Sequence, residues 1–139
     1  MLIRAFTESD TDAVVQLWHD CGLVRPWNDP RKDIARKLLV PPELFLVGDL
    51  DGAVVASAMV GFDGHRGWLY YLAVAPPHQG GGFGRALVAR AEQLLVDRGC
   101  PKLNIQVRGG NAGLIYYYRA LGFAEDGAVS LGKRLISDD

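Results

Sequence analysis

Apolar and polar positions alternate, cluster and recur along this chain in a way that divides it into ten elements. Residues 2 to 6 read as a short strand. Glu8-Ser9-Asp10 then offers helix-capping chemistry, and Val14, Leu17, Trp18 and Cys21 recur at helical spacing, predicting a first helix that ends near Gly22. Asn28-Asp29-Pro30 can cap a second helix with proline at its first position, with Ile34, Leu38 and Leu39 on its buried side and Pro41-Pro42 as its stop. From residue 44 the period shortens to two. Leu44 to Leu50, an Asp51-Gly52 pair suited to a type I′ turn, and Ala53 to Phe62 predict a hairpin. A second turn cluster, Asp63 to Gly67, leads into a strand from Trp68 to Val74. Gly84 to Arg98 reads as a helix with Leu87, Val88, Ala91, Leu94 and Leu95 inward and Gly99 at its C′ position. A strand from Lys102 to Val107, a helix over 112 to 121 ended by Gly122, and a last strand from Val129 to Ile136 complete the series. The helix between the strands at 68 to 74 and 102 to 107 favours parallel pairing through a right-handed crossover. The expected class is α+β with a mixed, mainly antiparallel sheet.

Composition narrows the picture. The 139 residues suit one domain, 1–139, and no repeat or Ser/Gly/Pro-rich linker divides them. Fifteen Lys plus Arg against sixteen Asp plus Glu leave a formal charge of -1. That gives no basic field for a nucleic-acid backbone, so nucleic acid is not an expected partner. Cys21 and Cys100 form neither a disulfide framework nor a metal-ligand spacing, so no metal is expected. Acidic residues by position 8 interrupt any export signal, and the apolar run Leu69 to Ala75 is too short to span a bilayer. The expectation is a cytoplasmic protein without membrane attachment.

The densest chemical signal is Gln79-Gly80-Gly81-Gly82-Phe83-Gly84-Arg85, between a predicted strand and a predicted helix. Free N–H groups and the helix dipole favour anionic oxygen at such a place, and glycine lets the main chain come close to a ligand. A P-loop would need Gly-Lys-Ser/Thr, but Gly84 is followed by Arg85-Ala86. A dinucleotide fingerprint begun at Gly82 would need glycine where Leu87 stands. Neither pattern is met.

Downstream lies Asn111-x-x-Leu114-x-x-x-Tyr118-x-x-x-Gly122-Phe123, and upstream of the glycine loop lies Leu72-Ala73-Val74-Ala75-Pro76. This ordered set resembles the GNAT superfamily of acetyl-CoA-dependent N-acetyltransferases and covers essentially the whole chain. Arg25 to Pro30, Asp63 to Gly67 and Ser130 to Ile136 look further like its small bacterial YpeA-type branch. The resemblance implies a GNAT-like sheet with two splayed parallel strands and a bulge in the first of them. It implies acetyl-CoA as co-substrate, with its pyrophosphate on the loop of Gln79, Gly80, Gly81, Gly82, Gly84 and Arg85. The pantetheine arm would pair with Leu72, Ala73 and Val74 as an added strand. The Val74 N–H would face the carbonyl oxygen that gathers charge, and Tyr118 would protonate the departing sulfur. Asn111 caps a helix and, in many relatives, also touches CoA; Leu114 replaces a frequent alanine.

The residues name no general base. His65 and Asp63 lie in a turn that can edge the acceptor cleft, His78 adjoins the glycine loop, and Asp29 lies where the first two helices meet. Each is equally a solvated turn or cap residue, and a water chain to bulk is the default. Trp27, with Asn28 and Asp29, either lines the acceptor pocket or packs as a lid. Trp18 and Trp68 read as structural, and Cys100 sits at a turn unsuited to a nucleophile. Direct transfer to a primary amine of a small molecule or peptide follows, with no covalent enzyme intermediate. Two alternatives stand beside it, acetylation of a protein N-terminal amine and an acyl-CoA-binding sensor without efficient transfer. Sheet edges and the last strand make a homodimer reasonable.

Overall fold

In the computed structural model, which describes residues 1–139, the alternating segments become β1 (Leu2–Ala5), β2 (Phe45–Leu50), β3 (Ala53–Phe62), β4 (Gly67–Val74) and β5 (Leu103–Ile105). They lie in one sheet in that order, the first four antiparallel and β4 parallel to β5. Asp51 and Gly52 both have positive φ, 53° and 90°, as the type I′ turn between β2 and β3 requires. The helices are α1 (Thr11–Asp20), α2 (Pro30–Lys37), α3 (Phe83–Asp97) and α4 (Ala112–Ala120). None is long and apolar enough to cross a membrane.

The period-two pattern sends alternate residues of each strand to opposite faces. On one face, Leu46, Ala56, Ala58, Val60 and Leu69 pack with Leu87, Val88, Ala91 and Leu95 of α3. On the other, Phe45, Val47, Met59 and Ala73 pack with Phe6, Val14, Val15, Leu17 and Trp18, and with Ile34 of α2. Leu69 faces α3 whereas Ala73, also odd-numbered, faces α1, so the alternation of β4 breaks between them.

Two expectations are corrected. Residues 129 to 136 form no strand, and Val129, Leu131, Leu135 and Ile136 are exposed. The neighbouring edge is only the three residues of β5, too short a ladder to hold them. Side-chain contacts fix the segment instead, Gln106 Nε2 donating to Ser130 Oγ and Asp138 being drawn to α2. The homodimer expectation thus loses the last strand as its pairing edge. Leu39 is exposed rather than buried, because α2 ends at Lys37.

Candidate active site

The parallel ladder between β4 and β5 runs from Gly67–Leu103 to Leu69–Ile105, and β4 continues for five residues beyond it. Two strands that start paired therefore diverge. The direction in which β4 points its amides changes along the way. Gly67 N–H donates to Lys102 O at 2.8 Å, so odd-numbered amides at this end face β5. Ala75 N–H donates to Val55 O at 2.8 Å, so past the middle of the strand odd-numbered amides face β3. The switch lies between Tyr70, opposite Met59, and Ala73, opposite Ser57, where three steps on β4 oppose two on β3. This is a β-bulge, and its extra residue reverses the parity. As a result Leu72 and Val74 aim their N–H groups into the gap between the splayed strands.

Tyr71 makes the bulge. Its φ of 51° is left-handed, a conformation that strains a bulky side chain and persists only when its surroundings fix it. Trp18 stacks on its ring at a centroid distance of 3.8 Å with planes 10° apart. Trp18 Nε1 donates to Ser57 Oγ at 2.9 Å, and Ser57 Oγ donates to the Tyr71 carbonyl at 2.8 Å. Tyr71 Oη donates to Asp33 Oδ2 at 2.6 Å. Burial, and after it the Asp33 carboxylate, push the Tyr71 phenol well above its usual range, so it stays a neutral donor. Ser57, Tyr71 and Asp33 escaped the sequence reading. Tyrosine carries no signal for a positive φ, and the three residues meet only through tertiary packing.

The glycine loop continues from the end of β4. Gln79 Nε2 donates to the Val74 carbonyl at 2.9 Å, and Cys21 Sγ donates to the same oxygen at 3.2 Å, tying loop and α1 to the strand end. Gly80 and Gly82 have φ of 84° and 86°, and a methyl group on either would meet nothing within 4 Å. The six consecutive amides from Gly80 to Arg85 donate to no protein acceptor, and Gly82 opens the 15-residue α3. Unpaired amides at the positive end of a long helix, with open space before them, fit a diphosphate. His78 closes a 3₁₀ turn just before the loop, its ring 6.1 Å from that of Phe83. Arg85 is exposed on the first turn of α3.

Across the gap stands α4. Asn111 caps it, its Oδ1 accepting the Leu114 N–H at 3.1 Å. Tyr118 is buried and meets Tyr117 and Phe123 edge-on, at 5.2 and 5.6 Å. Burial first, and then Tyr117, push its phenol up to about 12. Tyr117 lies on the loop side, and a methyl group on Gly84 would meet its Oη at 2.6 Å and Val74 Cγ2 at 3.7 Å. A side chain at position 84 would therefore have to displace the tyrosine hydroxyl.

The segment between α1 and α2 gathers a second group of predicted residues. Trp27 is half exposed, with the Arg108 guanidinium 5.4 Å above its ring. Asn28 Oδ1 accepts Arg134 Nη1 at 2.7 Å. Asp29 caps α2, accepting the N–H groups of Arg31 and Lys32 at 2.9 and 3.4 Å, while its own N–H donates to Asp138 at 2.7 Å. The structure does not bring Asp63 and His65 to this group. They precede Gly67, at the zipped end of β4, seven residues or about 23 Å of strand from Val74. Asp63 Oδ1 instead accepts the N–H groups of His65 and Arg66 at 2.8 and 2.7 Å, and these bonds hold its carboxyl below the usual range. No three His, Cys, Asp or Glu side chains converge as metal ligands.

A family model described as the acetyltransferase (GNAT) family matches residues 5–123. An acetyltransferase of Yersinia enterocolitica is 53% identical over 138 residues, covering 99% of this chain and 98% of the relative. Among solved structures, the ribosomal-protein-alanine N-acetyltransferase of Brucella melitensis superposes with a TM-score of 0.74 at 30% identity, over 91% of this chain and 86% of its own. The aminoglycoside antibiotic 6'-N-acetyltransferase of Acinetobacter haemolyticus also reaches 0.74, at 19% identity, over 98% and 99% of the two chains. That likeness is one of fold.

Proposed function

The chain belongs to the acetyltransferase (GNAT) family, and from that premise we propose that it moves the acetyl group of acetyl-CoA directly to a primary amine of a small molecule or peptide. The observation that carries this reading is the gap beside β4. The amides of Leu72 and Val74 face into it, and the unpaired amides from Gly80 to Arg85 lie at its mouth. Acetyl-CoA supplies an activated acyl carbon joined to a good leaving group.

The remaining work falls to residues of this chain. The loop amides hold the diphosphate, with Gln79 fixing the loop to the strand. The edge of β4 at Leu72, Ala73 and Val74 pairs with the amide-bearing pantetheine arm as a strand would. An N–H of β4, that of Val74, donates to the carbonyl oxygen as negative charge gathers there, an effect of about 3 kcal/mol. The amine nitrogen bonds to the carbonyl carbon, the C–S bond breaks, and the amine's proton leaves through water to bulk solvent. Tyr118 donates a hydrogen bond to the departing sulfur. Its phenol, near 12, is a weaker acid than a thiol near 8.5, so its effect belongs at the low end of acid catalysis, about a hundredfold or less. Asn111 orders the first turn of α4. Trp27, Asn28 and Asp29 form the acceptor side; Asp63 and His65 keep the roles of turn residues.

The Brucella relative, named for ribosomal-protein alanine, favours a protein N-terminus as a second acceptor class. Against it, the C-terminal residues of this chain rest across the start of α2, so a protein tail would have to displace them. Calorimetric titration tests the first half of the proposal: acetyl-CoA should bind at millimolar concentration or below. Thiol release across a panel of amines tests the second, since a sensor that only binds gives no acceptor-dependent release.

A further inference from the structure

The last residues of the chain end in a clasp. Asp138 lies in irregular structure, yet its side chain is only 3% exposed. Arg36 and Arg134 both pair with Asp138 Oδ1, Arg134 Nη2 at 3.1 Å, and the Asp29 N–H at the start of α2 donates to Oδ2 at 2.7 Å. Lys32 Nζ donates to the Asp138 carbonyl at 2.6 Å. Two guanidinium groups and a helix N-terminal amide converging on one carboxylate are the donor set by which proteins recognise carboxylates.

The clasp is joined to the bulge of β4. Arg36 Nη1 donates to Asp33 Oδ1 at 3.1 Å, and Asp33 Oδ2 accepts Tyr71 Oη at 2.6 Å. Three successive hydrogen bonds thus run from the bulge residue to the Asp138 carboxylate. Beside the clasp lies an open hollow lined by Pro26, Trp27, Arg134, Ser137 and Asp139. The segment that delivers Asp138 is weakly held by comparison. Arg134 is itself tied to Asn28 Oδ1 at 2.7 Å, and residues 135 to 139 beyond it contain no helix or strand, with Leu135 and Ile136 exposed, so little packing is lost when Asp138 lifts and Arg134 stays.

We infer that the clasp of Arg36, Arg134 and the Asp29 amide is the binding site for a carboxylate of the acceptor, and that Asp138 is its resting occupant. The acceptor class is then a small amine that also carries a carboxylate, and the chain's own end competes with it. This rests on the acetyl-transfer reading. Without Asp138 the clasp keeps Arg36, Arg134 and Lys32 against the carboxylates of Asp33 and Asp29, an excess of one positive charge suited to an anion.

The test uses full-length protein and binding alone, without acetyl-CoA. N-acetylated glycine, leucine and phenylalanine, each beside its carboxamide, are titrated calorimetrically into wild type, Asp138→Ala and Asp138→Ala/Arg36→Gln. An occupant in place nine-tenths of the time weakens a competitor tenfold. Asp138→Ala should therefore bind at least one free acid about tenfold more tightly than wild type does, its carboxamide much less, and the added Arg36→Gln should abolish the gain. Equal affinity for acid and carboxamide, or no gain from Asp138→Ala, overturns the inference. Should circular dichroism show Asp138→Ala unfolded, Asp138→Asn, which removes the charge and keeps the shape, carries the same comparison. Thiol release with the parent amino acids and their amides is run in parallel. Acids that bind without release leave the clasp standing and remove acetyl transfer to them, whereas release that ignores the carboxylate does the opposite.

Discussion

Replacing one buried hydroxyl should loosen both the fold and its cleft. Ser57 is fully buried, and its Oγ accepts from Trp18 Nε1 at 2.9 Å while donating to the Tyr71 carbonyl at 2.8 Å. Ser57→Ala keeps nearly the same volume, so it opens no cavity, but it strands an indole N–H and a main-chain carbonyl. Each stranded group costs about 1–3 kcal/mol, giving a loss of about 2–6 kcal/mol. With an unfolding entropy of about 2.1 cal/mol/K per residue over 139 residues, a 3 kcal/mol loss lowers Tm by about 10 °C. The same carbonyl belongs to the residue whose φ of 51° reverses the parity of β4, so the amides of Leu72 and Val74 should lose their fixed aim. Urea unfolding followed by tryptophan fluorescence measures the first effect, and acetyl-CoA titration at a temperature where the variant is fully folded measures the second. The exposed Ser9→Ala serves as control and should change stability by less than about 0.5 kcal/mol. A Ser57→Ala loss below about 1 kcal/mol, at unchanged m-value, would refute the view that this hydroxyl holds the bulge.

Further outcomes follow from the same geometry. Arg4 first, and the Thr7 N–H after it, hold the Asp10 carboxyl down at about 2. A folded value below the unfolded one, near 4, gives stability that is present above pH 4 and lost as pH falls through 2. Asp10→Asn should therefore cost about 1–2 kcal/mol at pH 7 and almost nothing at pH 2, and a difference constant across that range would contradict the assignment. Gly82→Ala meets no neighbour but must hold φ near 86°, so thermal unfolding should show a loss of about 1–2 kcal/mol, with CoA affinity falling further than stability explains. Tyr118→Phe should lower turnover by about ten- to a hundredfold with the KM for acetyl-CoA unchanged, and Tyr117→Phe by far less. The reverse order in steady-state kinetics would pass the role to Tyr117, whose hydroxyl lies against Gly84.

Much of the architecture is legible in the sequence, because local periodicity and turn chemistry are written in neighbouring residues. The Asp51-Gly52 turn, the Asp29-Pro30 cap and the inward stripe of α3 rest on contacts within a few positions of the chain. The glycine loop was visible for the same reason. Its conformation, with Gly80 and Gly82 at positive φ, depends on main-chain freedom, which glycine announces directly. The segment from 129 to 136 misled because alternation reports only that a strand is possible. Whether one forms depends on a free edge of sufficient length, and β5 offers three residues.

The amino-acid order alone, then, determined the succession of helices and strands as far as α4, the hairpin, the crossover and the loop of unpaired amides, since each is a short-range consequence of residue type. Tertiary structure decided the rest. Only packing brought Trp18, Ser57 and Tyr71 together across 39 and 14 positions of sequence to hold a left-handed tyrosine, and only that conformation turned the amides of Leu72 and Val74 into the gap. Arg36 and Asp138, 102 positions apart, met in the same way. Contacts of that range leave no periodic trace, because each partner by itself is an ordinary serine, tyrosine, arginine or aspartate until the fold sets it beside the other.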